Sequence, residues 1–476
     1  MVLAAFVAAA GFAPLSACSE KTEETSYDIS VVYDGDGTLS GTERVTYYND
    51  TGDSLSELKF NLYANAYRQD ALYKPVSETH RTKAYYNGTS YGNIDILTVT
   101  GGGSWQVCGE DENILSVALN GALAAGNSVT LDIEYKITLA EVEHRTGVCK
   151  SSVNLGNFYP VLCAYKDGAF YECIYYSDGD PFLSECADYT VTVDMPEGYT
   201  CASSGMAAYD KTANGRRICR YELANARDFA LVLSDKFNVI SREAEGVTVS
   251  YYYYDDDNAE AKLTAAADSL SYFTSCFGAY VYPTLAVVQT GFVIGGMEYP
   301  ALTMINDDLS SDEAILTIVH ENAHQWWYAM VGSNQISDAW QDEGLAEYST
   351  ALFFENNSGY PYTLTGLVNS ATSAYRAYYT VYNQIFGNAD TTMSRSLKDF
   401  VSVYEYVNIA YNKSMIMFNY LRQSVGDDKF FGALQSYYDS NIYKIAAPQN
   451  LLDCFYSTGV DLESFFDSFL NGKVVI

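Results

Sequence analysis

From residue 27 onward the apolar positions fall on every second residue. In 27–33, Tyr27, Ile29, Val31 and Tyr33 are separated by Asp28, Ser30 and Val32. A period of two puts successive side chains on opposite faces of a strand. Asp34-Gly35-Asp36-Gly37 follows, a hairpin turn signal. The pattern continues in 45–48, 58–62, 129–135 and 189–193, stopping at Pro196. It predicts one large antiparallel β domain over 26–240. Beyond 241 the period changes. One more strand is expected at 247–254, and then Leu263, Ala266, Leu270, Phe273 and Phe277 recur at helical spacing, with Gly278 where a cap would sit. Short strands are expected at 285–288 and 301–305. Ser310-Ser311-Asp312-Glu313 is a capping box, opening a helix that should run to about residue 330. The remainder is mainly helical, and no internal repeat is visible.

At roughly 100–200 residues per domain, 476 residues make two or three domains, and a hydrophobic fraction of 48% supplies their cores. The 44 tyrosines and only 9 prolines suit strands. Acidic residues number 60 against 27 basic ones, a net charge of −33. Phosphate binding needs clustered Lys and Arg, so nucleic acid is not an expected partner. The acidity reads as a solvated surface or as a preference for cationic substrates.

The first fourteen residues are apolar, at signal-peptide length and too short to span a bilayer comfortably. They end in Leu15-Ser16-Ala17-Cys18, which resembles a bacterial lipobox with Cys18 as the lipidated residue. Residues 1–18 are therefore expected to be a signal and 19–25 a polar tether, with the protein outside the cytoplasm and held to a membrane by that lipid alone. A plain secretory signal and a buried N-terminal helix are the alternatives. Nine further cysteines, six of them between Cys149 and Cys219, contain no CxxC pair. Disulfides and buried thiols are both open readings.

The chemistry gathers on the capping-box helix, in His320-Glu321-Asn322-Ala323-His324. Residues four apart share a helix face, so both imidazoles can reach one ion, and a carboxylate beside the first can take a proton from water. Downstream runs Trp340-Gln341-Asp342-Glu343-Gly344-Leu345-Ala346, with Glu343 placed to supply a third ligand from a second helix. A catalytic zinc takes three protein ligands and keeps one position open.

HExxH, eighteen intervening residues (325–342) and then Glu in this setting resemble the membrane alanyl aminopeptidase family of gluzincins. His324-Gln325-Trp326 is similar to it as well. The resemblance implies a large β N-terminal domain followed by a thermolysin-like, mostly helical zinc peptidase domain over 241–476, with one zinc per chain on His320, His324 and Glu343 and with Glu321 as general base. Gly295-Gly296-Met297-Glu298-Tyr299 resembles the family's Gly-x-Met-Glu-Asn, with Tyr299 replacing Asn. The implied role of Gly295, Gly296, Met297 and Glu298 is substrate binding, Glu298 holding the free α-amine. Ala410-Tyr411-Asn412-Lys413-Ser414 resembles the family's Tyr-x-Lys-Gly, which makes Tyr411 the oxyanion donor, with Tyr404 and Tyr406 as nearby competitors. Peptides are then the substrates and aminopeptidase action is expected. An endopeptidase, a dipeptide-releasing enzyme and a non-catalytic peptide-binding lipoprotein are the rivals. Oligomeric state is not legible.

Overall fold

The structure, a computed structural model, describes residues 24–473. The lipobox and Cys18 lie outside the described residues. The alternating segment forms β1 (Ser26–Tyr33), with Tyr27, Ile29, Val31 and Tyr33 turned inward. It leads through the Asp34–Gly37 turn, where the Asp34 carboxylate accepts the N–H groups of Asp36 and Thr38, into the antiparallel strand Thr38–Tyr48. On its other side β1 runs parallel to β2 (Ala187–Pro196), Ser26 facing Asp188. One pair thus departs from the antiparallel pattern expected. Alternation reports which face a residue takes, and says nothing of the neighbour's direction. The seven-stranded sheet containing both strands is joined by two four-stranded sheets and a two-stranded ribbon.

A five-stranded sheet begins at Asn238. Its inner part is parallel, with β3 (Thr284–Thr290), buried from Leu285 onward, in the middle. The short β4 (Gly296–Met297) closes its edge, antiparallel to β5 (Leu302–Asn306). Helix α1 (Ala259–Phe277) packs on α2 (Ser311–Ala323). The capping box forms as read: Ser310 Oγ accepts from the Glu313 N–H, and the Glu313 carboxylate accepts from the Ser310 N–H. Yet α2 stops at Ala323, several residues short of the expected end, and the chain leaves helical geometry at Trp327 (φ −107°, ψ 47°). After the single turn α3 (Gln335–Asp338) come α4 (Trp340–Asn356), the long amphipathic α5 (Leu364–Phe386) and α6 (Ser414–Val425).

Two glycines show how closely the pieces meet. A Cβ on Gly344 would lie 2.4 Å from that of Ser414, so α4 and α6 touch where the second motif begins. A Cβ on Gly156 would lie 2.0 Å from the Tyr299 hydroxyl, so the β region accepts the Tyr299 ring only because residue 156 has no side chain. All nine described cysteines are free thiols, five of them buried. No helix among the described residues is long and apolar enough to cross a membrane.

Candidate active site

Helix α2 presents His320 and His324 on one face, and α4 brings Glu343 against them. The two Nε2 atoms are 3.1 Å apart, and Glu343 Oε2 lies 3.5 Å from the first and 3.3 Å from the second. Four ligands at 2.0–2.1 Å in a tetrahedron would be separated by about 3.3 Å. The triangle has the size that a zinc ion demands. Its chemistry agrees, because Glu343 Oε2 is buried without a hydrogen-bond partner and two imidazole nitrogens converge on it. Burial resists charge on Glu343, but the facing histidines hold its carboxyl far below the usual range.

The rings are oriented from behind. His324 Nδ1 lies 3.3 Å from the Trp327 carbonyl, a partner that fixes the Nδ1–H tautomer and leaves the Nε2 lone pair free. That carbonyl is available because the chain departs from the helix there. Arg227 Nε donates to the next carbonyl, of Tyr328, at 2.7 Å, and the Tyr328 hydroxyl donates to Asp228. Both residues belong to the buried Ala226–Ala230 segment of the β region, so the fold of one half sets the ligand geometry of the other. On the opposite side, His320 Nδ1 is 3.5 Å from Glu347 Oε1.

Glu321 is 5% exposed and lies under β4. Burial pushes its carboxyl up to about 7, with the two histidines pulling it back. A Cβ on Gly296 would sit 2.5 Å from Glu321 Oε1, so this glycine makes room for that carboxylate. Tyr411 Oη donates to Glu343 Oε1 at 2.5 Å. Burial and then that carboxylate hold the phenol well above its usual range, so it remains a neutral donor. The Tyr406 ring stands 5.5 Å from that of Tyr411 and also lines the cleft, its buried hydroxyl without a partner. Tyr404 is 48% exposed and does not line it.

These groups surround a cavity of about 340 Å³. Gly295, Gly296 and Glu298 line one wall, whereas Met297 is fully buried and receives a hydrogen bond from Arg145 Nε on its sulfur at 3.1 Å. Tyr299 is directed away, toward Gly156 and Phe182. The Glu298 carboxylate, 3% exposed, accepts from Gln335 Nε2 at 3.0 Å. Its strongest carboxylate neighbour is Asp180, which enters from the β region and is paired with Arg145.

Residues 261–469 match the Peptidase family M1 domain. The chain is 28% identical over 209 residues to Aminopeptidase RNPEPL1 of Homo sapiens, an alignment covering 42% of this chain and 28% of that protein. It is 25% identical over 310 residues to Aminopeptidase N of Streptomyces lividans, covering 60% and 35%. The chain thus spans about a third of the length of these relatives. An M1 zinc metallopeptidase from Deinococcus radiodurans superposes over 95% of both chains with a TM-score of 0.68 at 17% identity, so the two share a fold. A mutant of that enzyme, bound to a Tyr-Ser-Ala substrate, matches with a TM-score of 0.65.

Sequence reasoning missed two residues that line the cleft, Asp180 and Arg145. Asp180 sits in Ser177-Asp178-Gly179-Asp180, which reads as an ordinary turn. Only the packing of the β region on the helical region carries it to the cleft beside Glu298. Gln335 escaped notice for the same reason, since no local pattern sets it apart.

Proposed function

We propose that this chain is a zinc aminopeptidase, cutting one residue at a time from the free amino end of peptides. The observation that carries this reading is a metal-sized triangle of two histidines and a glutamate beside a buried base, in a cleft with two carboxylates, Glu298 and Asp180, at one end. A zinc ion held by His320, His324 and Glu343 would polarise the scissile carbonyl and acidify water. Glu321 takes the proton of the attacking water and delivers it to the departing amine. The neutral phenols of Tyr411 and Tyr406 face the cleft where the carbonyl oxygen gains charge, and donate to it. Glu298 pairs with the substrate ammonium, which needs a counter-charge once out of water. Asp180 adds negative potential there, and Arg145 holds it in place. Tyr299, which stands where the family pattern has Asn, is turned away from the cleft and leaves the anchor undisturbed.

The ligand assignment is tested by elemental analysis of purified variants. The parent and Glu321→Gln should each carry about one zinc per chain. His324→Ala and Glu343→Ala should lose it, and Glu321→Gln should be inactive. Full zinc in His324→Ala overturns the assignment.

The location outside the cytoplasm belongs to the same proposal. Leu15-Ser16-Ala17-Cys18 after an apolar run supports a lipid anchor on Cys18. Expressed with its native start, the protein should fractionate with membranes and carry a diacylglyceryl group, and Cys18→Ala should release it. An unmodified N-terminus at another residue contradicts the anchor.

A further inference from the structure

Gln335 opens α3, whose entry is fixed by Asn334, a side chain that accepts the N–H groups of Ile336 and Ser337. The Gln335 carboxamide is 1% exposed. Its Nε2 donates to Glu298 Oε1 at 3.0 Å. Asp342 accepts the N–H of Glu343 at 3.0 Å. Carboxylate oxygens of Glu298 and Asp342 and a nitrogen of His324 all lie within 4.8 Å of one another. Two carboxyl groups this close repel, and each leaves an acceptor in need of a donor. Turned the other way, the amide would aim its oxygen at carboxylate lone pairs, which sets its orientation.

We infer that Gln335 is a positioning residue for amine recognition, holding Glu298 in one rotamer by a neutral donor; this rests on the aminopeptidase reading. The choice of residue follows from charge. A Lys or Arg here would satisfy Glu298 but cancel the negative charge the substrate ammonium needs. A Glu would add a third carboxylate. A glutamine donates without neutralising, so Glu298 keeps its place and the site gains no positive charge.

The test is a double-mutant cycle. Gln335→Met, close in size but without a donor, is made in the parent and in Glu298→Gln, with leucine 4-nitroanilide as substrate. A hydrogen bond to a charged group sets the scale, so Gln335→Met should cost about ten- to a hundredfold in kcat/KM in the parent background, mostly through KM. In the Glu298→Gln background the same change should cost less than about twofold, because its route of action is gone. Zinc content should stay near one per chain. Equal losses in both backgrounds would overturn the inference and make Gln335 a general structural residue. Gln335→Asn, which retains the amide but withdraws it by one methylene, should lose activity in the same direction and serves if the methionine variant does not fold; parent-level KM in it would equally overturn the inference. The parent's preference for a free over an N-acetylated peptide separates the two levels. No preference in the parent defeats the aminopeptidase reading itself, whereas an intact preference in Gln335→Met defeats only the role of Gln335.

Discussion

Gly296→Ala is a small change with a large expected effect. A methyl group on residue 296 would stand 2.5 Å from Glu321 Oε1 and 2.7 Å from both Cδ and Cγ, where ordinary contact begins at 3.4 Å. The Glu321 carboxylate must therefore retreat by about 0.9 Å, the difference between those distances. It is 5% exposed, and three of its atoms are struck together, so rotating the carboxylate alone does not relieve the clash. Displacing a reacting group by about 1 Å costs on the order of a hundredfold in rate. The neighbouring Gly295→Ala meets nothing closer than Thr317 Cγ2 at 3.6 Å, which is normal contact. We expect Gly296→Ala to lose roughly a hundredfold in kcat while retaining about one zinc and its thermal midpoint. The loss should be at least about ten times deeper than that of Gly295→Ala in the same anilide assay. Comparable losses at the two positions, or zinc leaving Gly296→Ala, would refute the idea that this glycine exists to make room for Glu321.

Glu347→Gln should weaken zinc binding by about ten- to a hundredfold in chelator competition, since a carboxylate behind a ligand histidine supports it; unchanged affinity removes Glu347 from the metal site. Glu43 is buried in the β region with neither carboxylate oxygen partnered, and burial pushes its carboxyl well above its ordinary value. A carboxyl raised in the folded state contributes stability below its unfolded pKa of about 4.3 and loses it as pH rises toward the folded value, at about 1.4 kcal/mol per pH unit. Glu43→Gln should therefore unfold at a lower temperature difference from the parent at pH 5 than at pH 7, with the variant the more stable at pH 7; a pH-independent difference in thermal midpoint counts against this. Tyr411→Phe should cut kcat by about 10²–10³ without loss of zinc, and near-parent turnover would shift the oxyanion role to Tyr406.

The metal-sized triangle was legible because its geometry is local. His320 and His324 lie one turn apart, on a helix whose start the Ser310–Glu313 box announces, and Glu343 follows in a motif of its own. The strands of the β region were legible for the same reason, through alternation. What could not be read depends on segments distant in sequence. The parallel pairing of β1 with β2 is a choice of neighbour, not of pattern. The early end of α2 has no Pro or Gly to mark it, and the kink is held by Arg227 and Asp228 from the other half of the chain. Asp180 and Gln335 carry no local signal, and their place beside Glu298 exists only once the β region and α3 have packed. Tyr299 replaces the Asn of the family pattern, and the fold gives its ring a seat over Gly156, which no local pattern announces.

The most direct test is mass spectrometry over time on one peptide and its N-acetylated twin, each incubated with the zinc-loaded protein. The free peptide should shorten from its amino end by single residues, and the acetylated twin should survive. Internal cleavage of the twin at a rate comparable to that of the free peptide would contradict an amine-anchored aminopeptidase, and an intact free peptide in the presence of bound zinc would contradict catalysis by this site.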